Sequence, residues 1–403
     1  MSLIRRAAKL VTIIFATVYL RISRRRQRTR PRRIIRATAA FFGHLALEPE
    51  NYLAARATGV PNSWAVDAEQ PRSRDWWTLG KRAASPNPTL AKAWRRQIST
   101  PPSWWVDAVI RAGESRPRLA LPQVSASLFG VGNALDELPT QFRLSPQQVK
   151  RARRELASVG VDLEAPYIAL VVRDEKYFDS VGKHLSDGRM RNRSIADFVP
   201  AVSMLAEMGV QVIRLGHLVA SKLDIEHPLV FDYATSGRRS ELLDIYIPLT
   251  ANAVVSTLTG SDAVALVGRR PVLYVDIALY AQVFHATAQA TWIPARLRDV
   301  TTSQILNLAE TFAVGAGWFV EPKQFDGAGL EVVRSSPAEI GLYVQDFARE
   351  VLECGGYRGT ASLQHQARAS LSKAMGHDGR LMHGEIRSHV PDRFLRTFPE
   401  FFA

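Results

Sequence analysis

The sequence predicts an α/β protein whose principal domain is a parallel, doubly wound sheet, and three observations carry that expectation. Short apolar runs alternate with helical segments between Pro166 and Val275, the order that builds successive βαβ units. The runs at 168–172 and 271–275 are apolar throughout rather than alternating, as strands covered on both faces are. Residues 254–276, VVSTLTGSDAVALVGRRPVLYVD, compress one such unit: a strand over Val254–Leu258, a turn at Gly260-Ser261-Asp262, a helix to Val267 and a strand over Pro271–Val275.

The elements follow in chain order. Ile34–Phe42 is strand-like and leads through a Gly43-His44 turn into a helix over Glu48–Thr58 stopped by Gly59. The next stretch is punctuated by proline and tryptophan, and only Pro88–Gln97 has helical composition, with Asn87 as its N-cap. Gly113–Leu144 reads as irregular. Ser145 caps a helix that has Pro146 at its first position and ends at Gly160. Then come a strand over YIALVV (167–172), a helix over 195–209, strands over VQVIRLG (210–216) and LVFDYA (229–234), and a helix over 240–249. After the unit at 254–276, PAEIGLYVQDFAREVLE forms a last helix before a basic and polar tail. These elements divide the chain into a basic segment (1–36), a first α/β domain (37–150), a second (151–355) and a tail (356–403).

Net charge is +14, yet residues 1–36 hold 12 basic side chains and no acid, which leaves 40 basic against 38 acidic residues elsewhere. The body of the protein is therefore nearly neutral, and a nucleic-acid partner is not expected. Between the arginines lies the apolar stretch Leu10–Leu20, too short for the roughly 20 residues of a bilayer span. With basic flanks and Tyr19 near its end it reads as a helix lying on an anionic membrane surface. An uncleaved signal-like segment and a solvated basic tail are the alternatives. A single cysteine, Cys354, and nine scattered histidines exclude a disulfide framework and a recognisable metal motif.

Ligands of open parallel sheets bind beyond the carboxyl ends of the strands. The residues there are polar: Arg173-Asp174, Arg214-Leu215-Gly216, Asp232-Tyr233 and Gly260-Ser261-Asp262. Arginine forks together with a helix N-terminus suit a diphosphate. Each group also reads as a local ion pair or an ordinary turn, and neither a GxGxxG nor a P-loop specialises the site. A long charged loop follows the first strand and ends in Arg191-Asn192-Arg193 ahead of Ser194. His44 is the one histidine placed as a candidate general base, the alternative being a local hydrogen bond in its turn.

The segments VVRDEKYF, RNRSIADFVPAVSMLAEMGVQVIRLG and FDYATSGRRSELLDIYIPL resemble a bacterial family of glycosyltransferases found with surface-polysaccharide genes. The resemblance is strong over roughly residues 160–280; FGHLALEPENYL and SPNPTLAKAWRRQI carry it more weakly in the first domain. It implies a GT-B-like fold: two Rossmann-like domains facing across a cleft, the donor nucleotide-sugar in the second and the acceptor in the first, with no essential metal. The positions it implies are Arg173, Asp174, Tyr177, Arg191, Asn192, Arg214, Gly216, Asp232, Tyr233, Gly260 and Gly43 with His44, without assigning their roles. Taken with the strand-end reading, which adds Ser261 and Asp262, the candidate donor and phosphate contacts are Arg173, Tyr177, Arg191, Asn192, Arg214, Gly216, Asp232, Tyr233, Gly260, Ser261 and Asp262, and the candidate catalytic residues are His44 and Asp174.

The expected activity is sugar transfer to a surface-glycan or lipid-linked acceptor, with the nucleotide sugar as co-substrate and no cofactor. The expected location is cytoplasmic, peripheral to the inner face of the cell membrane. Another enzyme of polysaccharide precursors, such as a pyruvyl transferase or nucleotide-sugar epimerase, would share the fold. A non-catalytic membrane or nucleic-acid binder would use the arginine-rich segment alone.

Overall fold

A computed structural model describes residues 3–29, 32–38, 41–58, 75–78, 86–125, 129, 134–176 and 188–403. The chain divides into two compact units, residues 1–128 and 129–403. The boundary precedes the expected position near 150 because 134–157 belongs to the second unit. There the Asp136 carboxylate accepts from the Ala288 amide at 3.0 Å, and Arg269 Nε donates to the Leu138 carbonyl at 2.8 Å.

The first unit contains helix α1 (Leu3–Thr29), strand β1 (Ile34–Arg36), helix α2 (Phe42–Thr58), strand β2 (Trp76–Thr78), helices α3 (Pro88–Trp94) and α4 (Ser103–Glu114), and strand β3 (Gln123–Ser125). Its sheet is parallel, in the order β2-β1-β3. Side chains alternate across it. Ile34 and Trp76 point into a core with Ala16 and Leu20 of α1 and Val106, Val109 and Ala112 of α4, whereas Trp77 meets Tyr52 of α2 edge to face at 4.9 Å. The sheet is thus covered on both faces.

The basic segment differs from expectation. It forms one helix that carries its arginines into the last turns, since arginine is a good helix former, and it is a layer of the first unit rather than an addition to it. Tyr19 stacks on Trp76 with ring centroids 5.6 Å apart, and Arg116 Nη1 donates to Thr17 Oγ1 at 3.3 Å. The opposite face of α1 stays exposed. Among the described residues no helix is long and apolar enough to cross a membrane.

After a single helical turn over Ala134–Glu137, the second unit forms helix α5 (Pro146–Ala157), held by the reciprocal bonds of Ser145 and Gln148. Strand β4 (Tyr167–Val171), helix α6 (Val199–Glu207), strands β5 (Gln211–Leu215) and β6 (Val230–Phe231), helix α7 (Leu243–Thr250), strand β7 (Ala253–Ser256), helix α8 (Gly260–Val267) and strands β8 (Val272–Ile277) and β9 (Ala290–Pro294) follow. They build a six-stranded parallel sheet in the order β6-β5-β4-β7-β8-β9. Counted from its first strand the order is 3-2-1-4-5-6, that of a Rossmann-like doubly wound sheet. All residues of β4, β5, β7, β8 and β9 are buried, polar Gln211, Arg214, Ser256, Asp276 and Thr291 among them, as in a sheet covered on both faces.

Beyond β9 the chain adds an antiparallel sheet of β10 (Arg296–Asp299), β11 (Ile305–Leu306) and β12 (Leu330–Val333), enclosing helices α9 (Leu308–Ala313) and α10 (Pro322–Gly327). Helix α11 (Pro337–Cys354) returns to pack on α6, and α7 and α8 pack together. The expected polar tail is instead folded into helices α12 (Ala361–His383) and α13 (Asp392–Thr397). Gln364 of α12 is buried and joins both atoms of its amide to the Val390 backbone, Nε2 donating at 2.6 Å and Oε1 accepting at 3.1 Å. Gly59, the expected stop of α2, lies outside the described residues.

Candidate functional site

The sheet of the second unit reverses its winding between β4 and β7, where two adjacent strands send their connections in opposite directions. Such a switch point opens a crevice at the carboxyl edge. Its floor is fixed by backbone: the Arg173 amide donates to Thr257 Oγ1 at 2.9 Å, and the Thr257 amide to the Val171 carbonyl at 3.3 Å. Residues 190–193 lie across this floor. The Arg193 amide donates to the Arg173 carbonyl at 3.0 Å, and Arg191 Nη1 approaches the Leu258 carbonyl at 3.5 Å. Asn192 Oδ1 is buried and meets no hydrogen-bond donor among the described residues.

A network behind the crevice holds that segment. Arg193 pairs with buried Asp276 and, at 2.9 Å, with Asp197. Asp276 also accepts from the Ser335 amide and, at 2.7 Å, from its hydroxyl, so β8, the loop after β12 and the Arg191–Arg193 segment are tied together. Arg334 donates to the Met190 carbonyl at 3.2 Å. Burial and the nearby Arg193 push Arg334 below the ordinary arginine range, against the opposing fields of Asp276 and Asp197. Two non-glycine residues here adopt left-handed backbone, Leu258 (φ 65°) after β7 and Asp276 (φ 52°) in β8. Such conformations cost of order 1–3 kcal/mol each and persist where surrounding structure over-determines them.

The N-terminus of α8 is less open to an anion than the sequence implied. Thr259, not Gly260, is the N-cap. Its hydroxyl accepts from the Ser261 amide at 3.2 Å, and the Asp262 carboxylate accepts from the Thr259 amide and, at 2.7 Å, from Ser256 Oγ. Asp262 is therefore a buried capping residue. Burial raises its pKa to about 6, against the hydrogen bonds that lower it and the field of Arg191. None of these capping contacts uses the amide of half-buried Gly260, and Ser261 is likewise half-buried at the crevice.

The other strand-end residues are spent on structure. Arg214 is buried, with Nη1 bonded to the Ser221 carbonyl (2.7 Å) and Asp232 (3.1 Å). Asp232 also accepts from the Leu223 amide and the Thr235 hydroxyl, so the pair shapes the loop after β5. Tyr233 is buried, its hydroxyl accepting from the Ser240 amide at 2.8 Å and standing 3.1 Å from Asp244 at the start of α7. Gly216 is required by packing, since a Cβ there would lie 2.5 Å from Val219 Cγ1. Asp174 uses one carboxylate oxygen for the Lys176 amide and the other for the Ala220 amide, both at 2.9 Å. Tyr177 lies outside the described residues. Arg214→Ala is accordingly expected to lower stability by about 2–4 kcal/mol, the range for breaking a buried charged pair, with unchanged nucleotide-diphosphate affinity in the folded fraction. Weakened binding at unaltered stability, measured by denaturation and titration of the same preparation, would return Arg214 to the binding site.

In the first unit His44 occupies the first turn of α2 instead of a turn ahead of it, because the helix starts at Phe42. One helical turn on, Glu48 is buried and its Oε1 lies 2.7 Å from His44 Nδ1; its Oε2 accepts from the Thr38 amide at 2.8 Å. A carboxylate so engaged orients the imidazole, and the ring itself remains 30% exposed. Sequence reading singled out His44 but missed Glu48, although their spacing of four residues in a helix is the signal that pairs them. It also missed Asp276 and Arg334, which no local pattern marks.

A second histidine group is sealed from any substrate. His285 Nδ1 lies 2.7 Å from Ser388 Oγ, and His383 stands 5.1 Å from His285 ring to ring, both histidines fully buried. Burial lowers both pKa values, that of His383 to about 4, and the group is core.

Comparison with protein-family models gives no match for this chain, and comparison with curated proteins gives none either.

Proposed function

We propose that the protein is a glycosyltransferase of GT-B type that uses a nucleotide-sugar donor. The observation that carries the reading is the crevice at the β4/β7 switch point, where Arg173, Arg191, Asn192 and the start of α8 converge on one carboxyl edge of a Rossmann-like sheet. Arginine forks beside helix amides suit the diphosphate of the donor and the charge that grows on it as the sugar departs. His44 is assigned the complementary task. Its outward nitrogen takes the proton of an acceptor hydroxyl, the hydroxyl oxygen forms the new bond to the anomeric carbon, and the nucleoside diphosphate leaves with the electrons of the broken bond. The exposed apolar face of α1 and the basic charge around it support an acceptor at a membrane surface.

Thermal-shift titration against nucleoside diphosphates and nucleotide sugars tests the donor half. A ligand at a hundredfold excess over Kd should raise apparent stability by about 2.7 kcal/mol. Arg173→Ala and Arg191→Ala should each weaken nucleoside-diphosphate binding by roughly 1.5–3 kcal/mol, the range of a charge-assisted hydrogen bond. Full affinity in both variants, or no shift with any nucleotide in the parent protein, would sink the donor assignment.

A further inference from the structure

Helix α1 has two apolar faces with different fates. Ala16, Thr17 and Leu20 are buried against the sheet and α4. Leu10, Val11, Ile14, Phe15, Val18 and Ile22 are each 45–73% exposed, and at about 100° per residue they form one stripe on the opposite side. At the 1.5 Å rise of a helix the stripe is roughly 18 Å long. It is rich in large aliphatic side chains, with exposed Arg21 at one edge.

Beside its C-terminal end lies a cavity of about 730 Å³ lined by Arg21, Arg24, Arg116, Pro117, Arg118 and Leu119. Helical geometry puts Arg21 and Arg24 on the flank between the two faces. Four arginines line the cavity, no carboxylate does, and none of the four forms an ion pair among the described residues. Arg116 Nη1 donates to Thr17 Oγ1, but like charges gathered without a counter-charge repel, so the site favours an anion rich in acceptors.

We propose that the cavity binds the phosphate of an anionic lipid headgroup while the α1 stripe lies among the acyl chains. The neighbourhood of the two features selects the source: a phosphate held here belongs to a molecule whose apolar part covers the stripe. Four guanidinium groups favour a terminal phosphomonoester, which carries up to two charges near neutral pH, over a phosphodiester with one. The inference deepens the membrane side of the function proposed above and is independent of the donor chemistry.

The test uses the full chain and vesicles of phosphatidylcholine alone, with phosphatidylglycerol, or with phosphatidic acid at matched charge. Three proteins are compared by flotation: the parent, an Arg116→Gln/Arg118→Gln variant and a Phe15→Ser/Ile22→Ser variant. The parent should prefer phosphatidic acid over phosphatidylglycerol. Arg116→Gln/Arg118→Gln should lose that preference, with affinity for phosphatidic acid falling roughly thirtyfold, as two surface arginines imply, while keeping phosphatidylglycerol binding through the remaining arginines of α1. Phe15→Ser/Ile22→Ser should float with none of the vesicles. Parent-like binding of phosphatidic acid by either variant overturns the proposal. So does thermal stabilisation by inorganic phosphate without vesicles at the concentration that phosphatidic acid requires, which would make the cavity a site for free phosphate. All four substituted positions are exposed, and unchanged melting temperatures certify the variants as folded. Nucleotide-sugar shifts recorded on the same preparations separate the two readings: vesicle binding as stated with no nucleotide response sinks the transferase alone, and the reverse sinks the lipid site alone.

Discussion

His44→Ala is expected to lower turnover by about 10²- to 10⁴-fold, the usual contribution of a positioned proton acceptor, and to leave nucleoside-diphosphate affinity unchanged. The geometry supports the size of the effect. Buried Glu48 is held from behind by the Thr38 amide and meets Nδ1 at 2.7 Å. An ionised carboxylate only accepts hydrogen bonds, so Nδ1 carries the ring proton and the lone pair of Nε2 is turned away from Glu48. Glu48 thereby fixes which ring nitrogen faces away from the helix. Glu48→Gln should therefore lower turnover as well, by a smaller factor, because the amide retains the shape but not the charge. Initial rates at saturating donor and a nucleotide titration on the same variants separate the possibilities. A fully active His44→Ala protein would refute the assignment and favour a retaining reaction, which needs no base on the acceptor. Reduced melting temperature with normal turnover would make the pair structural.

Asp276→Asn is expected to destabilise the second unit by about 3–5 kcal/mol, the cost of removing one partner of a buried ion pair. Asparagine tolerates left-handed backbone, so the substitution isolates charge from conformation. It leaves the Arg193 guanidinium, 7% exposed, with only half-buried Asp197, and it weakens the anchor of Ser335. Denaturant unfolding followed through tryptophan fluorescence reads the loss. A change below about 1 kcal/mol, typical of surface pairs, would show that the network does not hold the crevice together.

The second unit was legible because its strands are buried on both faces, and burial of that kind writes itself as apolar runs such as YIALV and the VLYV that opens β8. Caps were equally legible: Ser145, Asn87 and the proline that follows each are local chemistry and stand where expected. The first unit was not, because strands of three residues are too short to show any period. Within the site, residues were recognisable by position and not by direction. Arg173 and Arg214 both stand at strand ends, but only the fold turns Arg214 toward Asp232 and Ser221. Asp276 was hidden for the opposite reason: it closes an apolar run, and its partners come from residues 193 and 335.

The double-faced helix α1 has a consequence for geometry at a membrane. An anchor joined to its enzyme by a flexible linker lets the catalytic groups sample many heights above the bilayer. Here the inner face of the helix is clamped by Leu20, Tyr19 and Trp76, so α1 cannot roll about its axis without opening the core, and cutting the chain after residue 36 would remove β1, the central strand. His44 belongs to the same compact unit. On the membrane-bound reading proposed above, the helix would act as a keel, and the depth at which an acceptor hydroxyl would meet the imidazole would be a built-in dimension of the protein. Acceptors would then be selected by how far their reactive hydroxyl stands from the lipid surface, in addition to the sugar that carries it.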